Sequence, residues 1–156
     1  MLILTFQIGG SYYAMNCGLV LEIVPMVRLR EFPKAPPYLL GIFQYRGKAV
    51  PVIDLCALAG YDNARGLLST RIIMTAFKDV SGKECILGLA AERVIETVRV
   101  EESSIVQPAT VEDFPFLGEM ISCRRGLVQC IRPEALMSAP IAHALFPAED
   151  EGFSSR

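Results

Sequence analysis

The sequence predicts an all-β fold made of two similar small barrels, and three observations carry that expectation. Apolar and β-branched residues come in short runs broken by Gly, Pro, Asn, Ser or charged pairs, which is the rhythm of strands and turns. The chain also repeats itself faintly. Val20, Glu22 and Val24 are matched by Val94, Glu96 and Val98; Pro37 and Gly41 by Pro115 and Gly118; Arg46-Gly47 by Arg125-Gly126; and the Cys56 to Leu58 segment by Glu134 to Leu136, at offsets of about 74 to 79 residues. Finally, 156 residues suffice for one domain with a sizeable core, or for two small subdomains that share an interface. A half-length β unit closes its edges most cheaply by curling on itself, so a repeat of this size favours two barrels over one sandwich. A groove between them would be the default binding site.

In chain order, Leu2, Leu4, Phe6 and Ile8 alternate with Ile3, Thr5 and Gln7, which predicts a half-buried strand. Gly9-Gly10-Ser11 turns the chain, and Tyr12 to Met15 returns as a second strand. Leu19 to Leu29 is β-branched but contains Pro25, fitting an edge strand or a bulge. Glu22 shares strand parity with Val20 and Val24, so it faces solvent on an edge or is held by a specific partner. Pro33, Pro36 and Pro37 predict a stiff extended connection. A hairpin follows, with Gly41 to Tyr45 as one strand, Arg46-Gly47-Lys48 as the tip and Val50 to Ile53 as the other. Asp54 is placed to cap a short helix over Leu55 to Leu58, with Gly60 free to stop it in a left-handed conformation.

Residues 61–69 read as a loop, Arg71 to Phe77 and Cys85 to Ala90 as strands joined by a polar turn, and Arg93 to Val100 as a further strand ended by Glu101 to Ser104. Pro108 to Pro115 is irregular. Leu117 to Ile131 holds two short strands about Arg124-Arg125-Gly126, and Pro133 to Met137 suits a helical turn. The domain is thus expected over residues 1–140. A tail over 141–156 follows, with a short helix carrying Ile141, Leu145 and Phe146 and a disordered end from Glu149.

Composition excludes several functions. Fifteen basic and 17 acidic residues give a net charge of −2, without the basic excess that nucleic-acid binding requires. Hydrophobic residues make up 52% of the chain and mean hydropathy is +0.38, yet charges interrupt each apolar run before the roughly 18 residues of a membrane span. The surplus apolar surface goes into a core or under a partner. No secretory signal is expected at Met1. Five widely spaced cysteines without a Cys-x-x-Cys pair fit reduced, buried thiols.

Catalytic patterns are sparse. Gly41 to Lys48 superficially resembles a phosphate loop, but five residues separate its glycines where four are needed, and Ala49 stands where the magnesium-binding hydroxyl belongs. His143 is the only histidine and has no Cys, Asp or Glu at ligand or triad spacing, which reads as a solvated surface residue. No cofactor and no metal are expected. Glu22 and Glu96 occupy matching places in the repeat and could face each other as an acid pair. That pair, or Cys85 or Cys123 instead, would be the means of a small thiol or carboxylate enzyme, the alternative from another class. Arg46 is either a solvated turn residue or a recognition arginine whose donor fork suits a partner's carboxylates and carbonyls. Phe43 and Tyr45 beside it favour the second, because arginine among aromatics is the composition of an interface hot spot.

The run from Gly41 to Leu55, with Arg46-Gly47 at its turn and Asp54-Leu55 at its end, resembles the signature of the CheW family, the adaptor domain of bacterial chemosensory arrays. Phe6, Gly9, Tyr13-Ala14, Val20, Glu22-Ile23, Gly88-Leu89 and Val94 agree, and the resemblance covers roughly residues 1 to 138. It implies two five-stranded SH3-like barrels on a shared core. It also implies a non-catalytic scaffold, cytoplasmic and recruited to membrane receptor arrays, that connects the cytoplasmic tips of chemoreceptors to the regulatory domain of a CheA-type histidine kinase. Carried over by residue, receptor contact falls on Val20, Glu22, Gly41, Gln44, Arg46 and Gly47, with Lys48 beside them on the tip. Kinase contact would use apolar strand surface of the first barrel. A stand-alone kinase-regulatory domain that never touches receptors is the nearer alternative. Cys123 to Arg125 and Leu127 to Ile131 depart from the family's clean aliphatic strand. Ser69 to Arg71 and the Leu145-Phe146-Pro147 tail resemble adaptors of surface-sensing pathways that end in a cyclic-di-GMP synthase.

Overall fold

A computed structural model describes residues 1–61, 70–78, 81–106 and 116–137. The expected loop over 62–69, the irregular stretch over 107–115, His143 and the tail over 141–156 lie outside the described residues. Ten strands run through the rest: β1 (Leu2–Ile8), β2 (Ser11–Asn16), β3 (Val20–Pro25), β4 (Leu39–Tyr45), β5 (Lys48–Asp54), β6 (Thr70–Lys78), β7 (Glu84–Arg99), β8 (Ile105–Val106), β9 (Leu117–Cys123) and β10 (Gly126–Ile131). A single short helix, α1 (Leu55–Leu58), follows β5, and 3-10 turns occupy Cys17–Leu19, Glu102–Ser104 and Pro133–Met137.

The strands form two closed units joined by β7. In the first, the order is β3-β6-β7-β5-β4, and β4 returns to the continuation of β3 through reciprocal backbone bonds between Arg30 and Ile42 of 2.8 and 2.9 Å. In the second, the far half of β7 pairs with β1, and the order continues β1-β2-β10-β9-β8. These orders correspond strand for strand. Taking β3 as the far half of β7, β6 and β7 as β1 and β2, and β5 and β4 as β10 and β9, every pairing is reproduced. That includes one parallel contact in each unit, β5 with β7 and β2 with β10. The faint repeat is therefore a structural one, and its second copy borrows its last hairpin from the N-terminus.

Packing follows the same division. One apolar cluster, with Tyr45, Val50, Val52, Ile72, Met74 and Ala90, fills the first barrel, and another, with Ile3, Ala14, Val98, Ile121 and Val128, fills the second. The largest cluster joins them and includes Leu4, Phe6, Ile8, Met15, Ile53, Ile73, Leu87 and Leu89. The result is the expected all-β architecture, two SH3-like barrels around a shared core.

Four local expectations need correction. β1 is buried on both faces rather than one, because Leu4, Phe6 and Ile8 enter the shared core while Ile3 enters the second barrel. Thr5 tolerates this by donating its hydroxyl to the Glu96 carbonyl at 3.0 Å. The strand expected to reach Leu29 stops at Pro25, which has no N–H to extend the ladder. The proline-rich connection turns instead of running extended, with Lys34 at a φ of 56° directly after Pro33. The strands expected over 85–90 and 93–100 are one strand, β7, bent where four residues on β7 oppose two on β1 and Arg93 adopts a φ of 40°. That bend lets a single strand serve two barrels.

Candidate partner-binding site

The β4–β5 hairpin closes on two residues, Arg46 and Gly47, with Tyr45 opposite Lys48. Both central residues have positive φ, 49° and 78°, the requirement of a type I′ turn. Glycine meets that at no cost, whereas arginine is held in a sparsely populated region. The tip is well anchored. Asp54 ends β5 and caps α1 by accepting from the backbone N–H groups of Cys56 at 2.9 Å and Ala57 at 3.4 Å, as expected. Gly60 follows α1 at a φ of 88°.

Glu22 on β3 is what the tip closes against. Its Oε1 accepts from the Tyr45 hydroxyl and from Arg46 Nη2 at 3.2 Å. The Arg46 guanidinium lies 5.0 Å from the centre of the Tyr45 ring, within cation–π range. Glu22 is therefore a held carboxylate, the second of the two possibilities its strand parity allowed. Burial, then the bond to the Glu22 carboxylate, raises the Tyr45 hydroxyl above its ordinary pKa, so it stays a donor.

The other expected contact residues divide into two groups. Gln44, Gly47 and Lys48 are exposed on or beside the tip. Val20 is half-buried against the shared core, and Gly41 is buried. At Gly41, with a φ of 150°, an added Cβ would stand 2.5 Å from the Arg30 carbonyl oxygen. That glycine closes the barrel wall behind the tip and presents no side chain. Tyr45 also differs from expectation. It is only 7% exposed, so it supplies no surface to a partner; it faces the first barrel and packs edge-on against Phe43 at 6.1 Å. Its hydroxyl was the missed member of the site, and the signal for it is that Glu22 needed a donor inside the barrel.

The acid pair that the repeat allowed does not form. Glu96 is taken by the second barrel's own hairpin tip, accepting from Arg124 and from Arg125 Nε at 2.9 Å, while Glu22 is taken by the first. Burial makes Cys56, Cys85 and Cys130 poor nucleophiles as well. Burial pushes Cys56 and Cys130 up to about 11, and Cys85 is buried with its sulfur 3.7 Å from the Lys83 carbonyl oxygen. Among the described residues, no group of His, Cys, Asp and Glu is placed to hold a metal ion, and no helix is long and apolar enough to cross a membrane.

The double barrel is the architecture that the resemblance implied, and the CheW-like domain profile matches residues 2–140. The chain belongs to the CheW family. It is 30% identical over 109 residues to the chemotaxis protein CheW of Helicobacter pylori, covering 69% of this chain. That match spans 63% of the Helicobacter protein, a little under two thirds of its length. Against the probable chemotaxis protein CheW of Rhizobium etli, identity is 28% over 140 residues, 87% of this chain and 86% of that one. The scaffolding protein TtCheW of Thermoanaerobacter tengcongensis superposes with a TM-score of 0.76 at 25% identity, over 88% of this chain and 87% of that chain. In this CheW-family chain the divergent Cys123-Arg124-Arg125 segment leaves the fold intact, because Arg124 and Arg125 project from a hairpin turn.

Proposed function

We propose that this chain is a non-catalytic adaptor that couples the cytoplasmic tips of chemoreceptors to the regulatory domain of a CheA-type histidine kinase. The observation that carries the reading is the clasp of Glu22 with Arg46, an oriented and largely exposed guanidinium on a rigid hairpin. Arg46 is 66% exposed, so an ion pair there contributes about 0–1 kcal/mol to the fold. The fold gains little from it, whereas a partner meets an arginine already held in position, which lowers the entropy lost on binding. Gln44, Gly47 and Lys48 complete the receptor-facing surface, Glu22 orients it, and Val20 and Gly41 set its height above the shared core. Kinase contact is assigned to apolar strand surface of the first barrel, where Leu21 and Ile23 on β3 are exposed. The adaptor acts in the cytoplasm, recruited to receptor arrays, and a surface-sensing output is one destination of its signal.

Calorimetric titration of the chain with a receptor cytoplasmic tip and with a kinase regulatory domain encoded beside it tests this reading. Binding to both is expected, and binding to neither would overturn it. Kinase binding without receptor binding, unchanged by Arg46→Ala, would instead mark a stand-alone regulatory domain.

A further inference from the structure

The second barrel carries a clasp of its own. Glu96 stands on β7 where Glu22 stands on β3, and Arg125 reaches it from the β9–β10 tip as Arg46 does from the β4–β5 tip. Each arginine also lies against a tyrosine ring, Arg125 being 5.8 Å from the centre of Tyr12. The turns differ in one respect. Neither Arg124 nor Arg125 has positive φ, and Gly126 takes that role at 92°, as in a three-residue turn with a glycine bulge. This turn therefore holds two arginines on the tip without backbone strain.

Those arginines exceed what the clasp requires. A single carboxylate, Glu96, receives both guanidiniums, so the cluster keeps one uncompensated positive charge, and the Arg124 side chain is 65% exposed. Ion pairs this exposed add little to stability, and two like charges on adjacent residues cost some of it back. Next to Arg124 lies an open cavity of about 360 Å³, lined also by Thr97, Arg99, Ser104 and Ser122, with Glu101 at the same place. Arg99 makes no ion pair among the described residues. Two arginines and three hydroxyl-bearing residues line it, and guanidinium forks match carboxylate geometry.

We propose that Arg99, Arg124 and Arg125 form a second docking site, which takes an acidic peptide segment of a partner protein through its Asp or Glu carboxylates. Glu96 and Glu101 decide between a peptide and a bare polyanion. They repel any anion, but only a peptide offsets that by bringing backbone N–H groups for them to accept along with its carboxylates. The overall charge of −2 likewise disfavours nucleic acid. The site makes the chain bivalent, with matching tips on its two barrels. That a protein is the partner rests on the adaptor reading; the chemistry of the site does not.

The test is an amide-resolved NMR titration of the isotope-labelled 156-residue chain. The probes are a synthetic peptide of alternating aspartate and glycine, the same peptide with asparagine for aspartate, and inorganic phosphate. Saturable shifts at Ser122, Arg124, Arg125 and Gly126 are expected with the acidic peptide alone, fading as salt is added. Arg124→Glu should weaken that binding at least tenfold; if it fails to fold by circular dichroism, Arg124→Gln replaces it and should weaken binding severalfold. No saturable shift at these residues, equal shifts with phosphate or the asparagine peptide, or undiminished binding by the folded variant would overturn the proposal. No receptor or kinase is present, so failure here is distinct from failure of the adaptor reading.

Discussion

Glu22 accepts a hydrogen bond from Arg46 at 3.2 Å across 24 positions of sequence, linking β3 to the tip of a hairpin with which β3 shares no strand pairing. The contact crosses the mouth of the first barrel. Its geometry is set by the barrel, its energy is small, and the guanidinium stays mostly in water. These three properties fit a positioned recognition group better than a structural tie.

Arg46→Gly separates the two roles. Glycine relieves a left-handed residue that costs roughly 1–2 kcal/mol, offset by greater freedom when unfolded and by loss of a surface ion pair, so stability should stay within about 1 kcal/mol of wild type. Receptor-tip affinity should nevertheless fall by about 2 kcal/mol, roughly 30-fold, if the guanidinium is a hot spot. Urea denaturation and calorimetry on the same preparation check both halves. Unchanged affinity would remove Arg46 from the interface.

Tyr45→Phe should act on the fold more than Arg46 variants do. The hydroxyl bonds a carboxylate from inside the barrel wall, and such bonds are worth about 1.5–3 kcal/mol. Glu22 is 40% exposed and can regain water, so the expected loss is near the lower limit, about 1–2 kcal/mol. The sign with pH follows from the raised hydroxyl pKa. Its contribution is fully present below the ordinary value of 10.0 and is lost as pH rises through the higher folded value. The stability gap between wild type and Tyr45→Phe, measured in urea at pH 7 and pH 11, should therefore shrink at the higher pH.

Gly41→Ala should be among the most damaging single changes in the chain. The new methyl would meet the Arg30 carbonyl oxygen at 2.5 Å in a buried wall, at a backbone φ of 150°. Relief requires opening the Arg30–Ile42 closure, so the expected cost is about 3 kcal/mol or more. Thermal unfolding should show it, and receptor binding should weaken with it because the tip loses its footing. A melting temperature equal to wild type would contradict this account of barrel closure.

Cys56 and Cys130 should resist thiol reagents at pH 8 in the folded protein and react fully in urea. Their pKa values rise from 9.0 to about 11, chiefly through burial. A raised value means that their stabilising contribution is complete below pH 9 and declines as pH climbs toward 11. Wild type should therefore lose stability over that interval faster than the Cys56→Ala, Cys130→Ala variant, as followed by denaturation midpoints.

Local chemistry made much of this fold legible. The Arg46-Gly47 turn, the Asp54 cap and the short apolar runs of β6 and β10 each follow from a few adjacent residues. The pairings that close each barrel do not. β5 meets β7 and β2 meets β10 in parallel over two or three residues, and no neighbouring residue signals such a long-range contact. β1 was misread because Thr5 looks like a solvent-facing residue until the Glu96 carbonyl that satisfies it is in place. The clasps were half visible. The repeat aligned Glu22 with Glu96 and Arg46 with Arg125, but which pairs form depends on strand order: each glutamate meets the hairpin of its own barrel, not the other glutamate.

The interleaving of the barrels also sets the order in which the chain can fold as it is made. The first barrel is complete once Val20 to Glu92 have emerged. The hairpin of β1 and β2 is synthesised before any of it, yet β1 meets its second partner, β7, only after Arg99, and β2 meets β10 only after Ile131. At about 5–20 residues per second, β2 waits roughly 6 to 23 seconds for β10. Until Arg99 has emerged, Leu4, Phe6 and Ile8 lack the strand that draws them into the shared core. β1 is thus an aggregation hazard while the domain is being made and a natural place for a chaperone to bind.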